Sequence, residues 1–237
     1  MSDTIFDLNV FSNVASRDPA HNLAHHAIRS AEATFGAASL RPRLFVDPNP
    51  NPDLFDAWVA RTRDALGRDI EVTATSGLAD GFRRSVRTAT SAYAIQLEHD
   101  FVFLPEHIAH DLGALTHGMA AMGHTYLKFN KRWNHAVGYD YFMDETPDAP
   151  FPCRRISGRS NNPQIIEIEF YLRRVLATIP ADATKSGGLE GEIDTHVGGG
   201  LVYGDLGHPA TVAHLDGRRV RAKDNLRRAI YLLRRKS

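Results

Sequence analysis

The sequence predicts an α/β domain built on a mostly parallel, Rossmann-like sheet, and three observations lead to this fold class. Short apolar runs typical of strands alternate with longer amphipathic segments typical of helices through about the first hundred residues. Gly36 and Gly67 follow two of the helical segments, where C-terminal caps are expected. Alternation at this spacing predicts right-handed crossovers and a central sheet flanked by helices on both faces.

Each element of the first half follows from its local pattern of apolar residues. The predicted strands cover residues 4–12, 43–50, 69–76 and 92–104, and the predicted helices cover residues 21–36, 52–67 and 79–90. Later in the chain, Ser160 to Pro163 form a helix-start signal, and Glu167 and Glu169 are expected in the apolar helix that follows. Ligands of parallel α/β sheets bind at the carboxyl ends of the strands. Polar residues that follow predicted strands are therefore the first candidates for a site.

Composition and cysteine content exclude several classes of protein. The single cysteine, Cys153, cannot build an internal disulfide framework or a cysteine-rich zinc site, which favours a cytoplasmic protein. No apolar run approaches the length of a membrane-spanning helix, and the first residues lack the basic and apolar regions of a signal peptide. The sequence therefore predicts a protein that is neither exported nor membrane-spanning.

The formal net charge is zero, but the segment 218–237 is strongly basic, with nine basic residues and one acid. Leu226, Ala229, Ile230 and Leu233 recur in it at helical spacing. A basic amphipathic helix of this kind suits peripheral contact with an anionic membrane at its inner face, or with phosphate-rich polymers such as nucleic acid. The alternative is a terminal helix whose apolar stripe docks on the domain at 1–217.

Glu98, His99 and Asp100 place charge inside the apolar run from Tyr93 to Leu104. The triplet is interpreted as the point where the fourth strand emerges at the ligand-binding edge of the sheet. Because strand side chains alternate in direction, Glu98 and Asp100 are expected on the same side. Two such carboxylates can share a hard cation, Mg²⁺ or Mn²⁺, whose coordination is completed by phosphate oxygens and water. The alternative is a strand end that carries solvated charges.

The run 76–104 resembles the core of a GT-A glycosyltransferase of the nucleotide-sugar-dependent, family-2-like kind. The features that carry the resemblance are a glycine-containing turn, a basic residue early in the following helix, a segment that leads from this helix into the next strand, and an acidic triplet. In this sequence they are Gly77 and Gly81, Arg83 or Arg84, Ala89 and Tyr93, and Glu98-His99-Asp100. Glu98 departs from the commoner aspartate. The resemblance extends in architecture over about residues 4–110.

The resemblance implies transfer of a sugar from a UDP- or GDP-linked donor to a hydroxyl of a saccharide or lipid-linked saccharide, with Mn²⁺ or Mg²⁺ at the diphosphate. Residues 1–110 would then form the nucleotide-sugar-binding half and residues 111–217 the acceptor-side half. The residues expected to contact the donor are Asp47, Asp80, Arg83, Arg84, Glu98 and His99. Asp47 has an alternative role in shaping the turn before Pro48, and Asp80 one in capping the third helix.

The resemblance also points to residues far downstream. His214, in the sequence Ala213-His214-Leu215-Asp216, matches the histidine that reaches back to the metal in many GT-A enzymes, so the predicted metal ligands are Glu98, Asp100 and His214. His208 and His196 are the other candidates for the third ligand. An inverting transfer needs a carboxylate base, for which Glu192 has a matching position and Glu169, Glu190 and Asp194 are competitors.

Two other functions are open from the sequence. A sugar nucleotidyltransferase would use a similar sheet and metal, but it should carry a glycine-rich basic loop after the first strand, which residues 11–22 match poorly. A non-catalytic protein that binds nucleic acid or a membrane would account for the basic tail. It would leave Glu98 and Asp100 without a role, so a nucleic-acid partner is the weaker interpretation.

Overall fold

A computed structural model of the chain describes residues 5–12, 22–135, 143–156, 162–179 and 199–215. The strands are β1 (Phe6–Ser12), β2 (Leu40–Val46), β3 (Glu71–Ala74), β4 (Tyr93–Glu98), β5 (Phe101–Phe103), β6 (Tyr126–Lys128), β7 (Met143–Asp144), β8 (Cys153–Ile156), β9 (Gln164–Glu167), β10 (Gly200–Tyr203) and β11 (Val212–His214). The helices are α1 (Ala24–Phe35), α2 (Pro52–Leu66), α3 (Leu78–Arg87), α4 (Leu112–Ala121) and α5 (Ile168–Phe170), which continues as a π-helical turn (Tyr171–Val175). None of the helices in these ranges is both long and apolar enough to cross a membrane.

Nine strands form the central sheet, in the order β3-β2-β1-β4-β9-β6-β10-β8-β7. All of them run in the same direction except β8 and β9, which pair antiparallel with their neighbours. The predicted mostly parallel α/β sheet is therefore confirmed. β4 has β1 on one side and β9 on the other, so the end of β4 lies near the middle of the sheet edge.

Helices cover both faces of the sheet. On one face α1, α2 and α4 pack over alternate strand residues such as Leu8, Leu44 and Ile95. On the other face α3 and residues 168–179 pack over the side chains that point the opposite way, such as Phe11 and Phe45. This double covering follows from the period of two in the strands, because successive apolar side chains enter opposite cores.

The caps of α1 and α2 agree with the sequence prediction. Gly36 has φ 87° and its N–H donates to the carbonyl of Glu32, which ends α1. Gly67 has φ 68° and its N–H donates to the carbonyls of Arg63 and Asp64, which ends α2. Glycine adopts this left-handed backbone without the steric cost that a Cβ imposes.

The predicted fourth strand, residues 92–104, is divided into β4 and β5 by a turn at His99 and Asp100. β5 leaves the central sheet and pairs antiparallel with β11 in a small second sheet, with Phe101 opposite His214. The prediction that Asp100 continues the alternation of β4 is therefore wrong. A second correction concerns the segment after Pro163, which begins with β9 rather than with a helix. The first three residues of β9 are buried on both faces, and its short apolar pair Ile165-Ile166 does not distinguish strand from helix.

Cys153 lies in β8 with 3% of its surface exposed, and its Sγ is 3.6 Å from the hydroxyl of Thr146. Burial raises the pKa of this thiol, which disfavours the reactive thiolate. We therefore expect the native protein to react with a thiol reagent such as DTNB at pH 8 at least about a hundredfold more slowly than the denatured chain. Equal rates before and after denaturation would show that β8 opens readily.

Candidate functional site

The carboxyl ends of four neighbouring strands are joined by backbone hydrogen bonds. The N–H of Asp47, just after β2, donates to Ser12 at the end of β1, and the N–H of Thr75, just after β3, donates to Val46. The N–H of His99, just after β4, donates to Phe11. These bonds bring the residues that follow β1 to β4 to one edge of the sheet, where ligands of α/β folds bind.

Asp100 and His214 meet at this edge although they are more than a hundred residues apart in the chain. The Nε2 atom of His214 is 3.3 Å from the Oδ2 atom of Asp100, and both side chains are largely buried. The His214 ring packs edge-on against Phe101 at 4.5 Å, and the N–H of Leu215 donates to the carbonyl of Asp100. The β5–β11 pairing thus holds both groups in a defined geometry.

The second carboxylate oxygen of Asp100, Oδ1, is buried and has no hydrogen-bond partner among the described residues. Burying a carboxylate oxygen that accepts no hydrogen bond costs desolvation free energy. This atom is therefore suited to bind a cation or a hydrogen-bond donor of a ligand. A carboxylate and an imidazole are both ligands that Mn²⁺ accepts. The residues present at Asp100 and His214 therefore fit a divalent cation.

Of the three predicted metal ligands, the structure brings together Asp100 and His214. No group of three or more His, Cys, Asp or Glu side chains is arranged to hold a metal within the described ranges. Glu98 is the last residue of β4 and is half-buried. Its part in a metal site stays a prediction, and the remaining coordination positions would be left to phosphate oxygens and water.

His99, the middle residue of the triplet, is buried. Its backbone N–H and its ring Nδ1 both contact the carbonyl oxygen of Phe11, the ring at 3.2 Å. Burial lowers the pKa of His99, with His214 adding to the shift while Asp100 and the Phe11 carbonyl oppose it. The backbone N–H and the ring Nδ1, both directed at the Phe11 carbonyl, hold the turn that separates β4 from β5. The predicted contact of His99 with the donor stays a prediction.

Asp47 and Asp80 both bond to the backbone between β3 and α3. One Asp47 oxygen accepts from the hydroxyl of Thr75 at 2.8 Å and from the N–H of Gly77 at 2.6 Å. Asp80 accepts from the N–H of Ser76 at 3.1 Å, in the first turn of α3. The Asp80 bond holds the start of α3, in keeping with the capping alternative, whereas the Asp47 bonds shape the loop after β3 rather than the turn before Pro48. The donor contacts of both residues stay predictions.

Arg83 and Arg84 follow Asp80 on α3 and point in different directions. Arg84 is exposed and donates to Asp80 at 2.9 Å. Arg83 is largely buried and lies 3.7 Å from Asp80. It lines a cavity between α3 and the residues that end the helical segment after β9, together with Asp80, Arg87 and Leu176 to Ile179.

Glu169 lies at the opposite edge of the sheet from Asp100. Glu167 pairs with Tyr93 at the start of β4, so Glu169 is separated from Glu98 by the length of that strand, roughly 15–20 Å. Its side chain is exposed and pairs with Arg173. The prediction that Glu169 is a catalytic base is therefore wrong. β9 runs antiparallel to β4, so the residues that follow it, including Glu169, lie away from the ligand-binding edge.

Of the remaining predicted residues, the structure describes His208, and the others lie outside the described ranges. His208 turns its Nε2 toward the carbonyl of His107 at 3.0 Å, so it is engaged there rather than with Asp100. Glu192, the predicted base, lies outside the described residues, as do its competitors Glu190 and Asp194, the histidine His196 and the basic segment 218–237.

A row of polar side chains that was not predicted from the sequence crosses the sheet beneath this edge. Cross-strand pairs connect its members on eight adjacent strands, with Val202 as the one apolar position. The row consists of Glu71, Arg43, Asn9, Gln96, Gln164, Lys128 and Arg154. Paired residues point to the same face, which is the face that α3 covers.

Most members of this polar row are deeply buried. Lys128 is 1% exposed, Gln96 3% and Gln164 5%. The Nε2 atom of Gln96 and the Oε1 atom of Gln164 have no hydrogen-bond partner within the described part of the chain. Amide and ammonium groups of this kind hydrogen-bond to hydroxyl-rich ligands. A sequence signal was present for Gln96, which interrupts the apolar run of β4, whereas Gln164 and Lys128 lie at strand ends, where polar residues are common.

The fold resembles that of solved structures at low sequence identity, while no family model and no curated protein matches the chain. The crystal structure of S. aureus TarS 1-349 has a TM-score of 0.55 and 11% identity, over 89% of this chain and 60% of that chain. The same protein in complex with UDP-GlcNAc has a TM-score of 0.54 and 11% identity, over 92% and 62%. HddC from Yersinia pseudotuberculosis complexed with GMP-PN has a TM-score of 0.52 and 10% identity, over 96% and 100%.

At these identities the likeness concerns the fold. The predicted GT-A-like, Rossmann-related architecture is confirmed by the sheet topology and by the fold match to these structures. The chain spans about 60% of the length of TarS 1-349.

Proposed function

We propose that the protein is a metal-assisted glycosyltransferase that moves a sugar from a nucleotide-diphosphate donor to a hydroxyl of a saccharide or lipid-linked saccharide. The observation that carries this proposal is the meeting of Asp100 and His214 at the carboxyl edge of the sheet, with one Asp100 oxygen buried and without a partner among the described residues. Support also comes from the fold that the chain shares with a structure in complex with UDP-GlcNAc.

In this proposal Asp100 and His214 hold Mn²⁺ or Mg²⁺, with Glu98 as a further ligand. The bound cation would neutralise the negative charge that develops on the leaving nucleoside diphosphate. His214 is kept in place by the Phe101 ring and Asp100 by the turn after β4, so little reorganisation is needed when the donor binds. The chain thus contributes a preorganised carboxylate and imidazole.

The donor would lie along the carboxyl edge from β2 to β4. We propose Asp47 and Asp80 for contacts to the nucleoside, as the sequence suggested, and Gln96, Gln164 and Lys128 for the sugar hydroxyls. These three residues belong to the buried polar row: Gln96 lies two residues before Glu98 on β4, and Gln164 and Lys128 follow it in register on β9 and β6. Glu192 is proposed as the base that accepts the proton of the acceptor hydroxyl if the reaction inverts the sugar carbon.

The function is tested by thermal shift with a set of UDP- and GDP-linked sugars, each with and without Mn²⁺. A donor present well above its dissociation constant should stabilise the native protein by about 2–4 kcal/mol and raise Tm by several degrees. The rise should shrink when EDTA removes the metal. If every nucleotide sugar leaves Tm unchanged in Mn²⁺, the proposed donor site does not exist.

His214→Gln should lower the affinity for that donor in Mn²⁺ at least about tenfold, because the imidazole ligand is lost. Glutamine is used because it keeps contact with Phe101, whereas alanine would open a hole there. Isothermal titration in Mn²⁺ and in EDTA measures the effect, which should be confined to the metal-containing arm. His208→Gln is the matched control and should bind the donor as the wild-type protein does. An equal loss in both variants would contradict a role for His214 at the metal.

Nucleotidyl transfer is the second candidate function. The match to the HddC complex with GMP-PN extends over the whole of that chain and 96% of this one. A nucleotidyltransferase would release pyrophosphate when given a nucleoside triphosphate and a sugar 1-phosphate, whereas a glycosyltransferase would release a nucleoside diphosphate from a nucleotide sugar. Measuring both products on the same preparation separates the two functions.

A further inference from the structure

Lys131 is an exposed lysine that follows β6, at the same edge of the sheet as Asp100. β6 pairs antiparallel with β9, and β9 pairs antiparallel with β4, so β6 runs parallel to β4. The residues that follow these two strands therefore reach the same edge, where ligands of α/β folds bind. Two strand spacings separate β6 from β4, roughly 10 Å. Lys131 is thus placed beside the proposed cation site.

The Lys131 ammonium and the His214 ring contact the same aromatic side chain. The Nζ atom of Lys131 lies 5.6 Å from the centroid of the Phe101 ring, within the range of a cation–π contact. The His214 ring packs edge-on against that ring, with the two centroids 4.5 Å apart. Phe101 is buried and directly follows Asp100 in the chain. One ring therefore connects the lysine with both residues that we place at the cation.

The backbone next to Lys131 is firmly held. The carbonyl of Asn130 accepts from the N–H of Thr211 at 2.8 Å, just before β11. The buried side chain of Asn130 donates to Asn134 at 2.8 Å, and Asn134 donates to the carbonyl of Tyr203 at 2.8 Å. A ligand that pairs with Lys131 would therefore not have to order the backbone that carries it, which lowers the entropic cost of binding.

The charge balance of the proposed donor site calls for a further cation. Asp100 and Glu98 would neutralise a divalent metal, so the metal held by both carboxylates brings no net positive charge to the donor. A nucleotide-diphosphate sugar carries a negative charge on each phosphoryl group and gains another when the sugar leaves. The two arginines of α3 that were predicted to contact the donor both lie against Asp80. Lys131 forms no ion pair with any residue of the described ranges.

We propose that Lys131 binds the diphosphate of the nucleotide-sugar donor. The inference rests on the proposed function, because it needs a nucleoside diphosphate at this edge of the sheet. The ammonium pairs with a phosphoryl oxygen that the metal does not hold. When the bond between the sugar carbon and the diphosphate oxygen breaks, its electron pair stays on that oxygen, and the lysine stabilises the added negative charge.

The test is a calorimetric titration of UDP and of GDP into the full-length protein in Mn²⁺. We expect the diphosphate that binds to lose affinity at least about fivefold in Lys131→Gln, because a charge-assisted contact is lost. Lys131→Arg should restore most of the affinity, since it keeps the charge. The loss in Lys131→Gln should shrink as sodium chloride is raised, because salt screens exposed charges. Arg61→Gln is the control, since Arg61 is an exposed arginine of α2, on the β2–β3 side of the sheet away from β6, and it should bind as the wild-type protein does.

The outcomes separate this inference from the proposed function. Equal affinity in Lys131→Gln and in the wild-type protein, or an equal loss in Arg61→Gln, would overturn the inference and leave the metal-dependent donor site standing. A loss that Lys131→Arg does not restore would show that the charge is not what binds the diphosphate, and would also overturn it. If neither UDP nor GDP binds to the wild-type protein, both the inference and the proposed function fail. A charge-dependent loss in a protein that transfers no sugar would support the diphosphate contact and remove the transfer reaction.

Discussion

Asp100→Asn is expected to reduce sugar transfer, or donor hydrolysis in the absence of an acceptor, at least about a hundredfold. The substitution keeps the size of the side chain but removes the negative charge that would hold a cation. Its Oδ1 is buried without a partner among the described residues, so an asparagine amide fits the space while failing as a strong metal ligand. Release of the nucleoside diphosphate, followed over a range of Mn²⁺ concentrations, measures the effect.

Glu106→Gln provides the control for this experiment, because Glu106 is an exposed acid on the segment after β5. It should retain wild-type activity. Circular dichroism and Tm should be nearly unchanged in both variants, since Asp100 lies at a turn rather than inside a strand. Substantial activity in Asp100→Asn, or wild-type activity that ignores EDTA, would remove the metal-assisted mechanism.

Asp7→Ala should lower the free energy of unfolding by about 3 kcal/mol, because it removes a buried carboxylate that accepts a charged hydrogen bond from Arg41 and leaves the backbone N–H of Thr90 without its acceptor. Asp7 is fully buried and its carboxylate accepts from Arg41 at 2.8 Å and from the N–H of Thr90 at 2.8 Å. Arg43, 2% exposed, lies 3.8 Å from the same carboxylate. In a chain of this size the loss corresponds to roughly 10 °C in Tm.

Asp69→Ala is the control for stability, because its carboxylate is exposed and its pair with Arg63 at 3.4 Å lies at the surface. Ion pairs of that kind contribute little, so Tm should hardly move. Urea unfolding of both variants gives the two free energies directly. If Asp7→Ala unfolds at the same urea concentration as the wild-type protein, the network around Asp7 does not stabilise the amino-terminal half of the sheet.

The elements that the sequence predicted correctly are those that local chemistry determines. α1 and α2 end where Gly36 and Gly67 adopt a left-handed backbone, and β1 to β3 follow from short alternating or apolar runs. Their bounds differ by a few residues from the predicted ranges, as in β2, which starts at Leu40 and ends before Asp47. Local patterns define the core of an element better than its ends.

The features that the sequence did not predict depend on pairing between distant segments. Nothing in the run 92–104 indicates that Phe101 leaves the central sheet to pair with His214, and nothing near Gln164 indicates that β9 inserts between β4 and β6. The polar row has the same origin, because Gln96, Gln164 and Lys128 become neighbours only through strand register. Register is a property of the assembled sheet.

The pairing of β5 with β11 also determines when the site forms during synthesis. More than a hundred residues separate Phe103 from Val212, and at translation rates of about 5–20 residues per second they take roughly 5–20 s to emerge from the ribosome. Throughout that time Asp100 belongs to a nascent chain that has no His214 to face it. The first half of the sheet can therefore form before Asp100 and His214 meet. A nascent chain cannot assemble the proposed cation site before the last of the described strands is made.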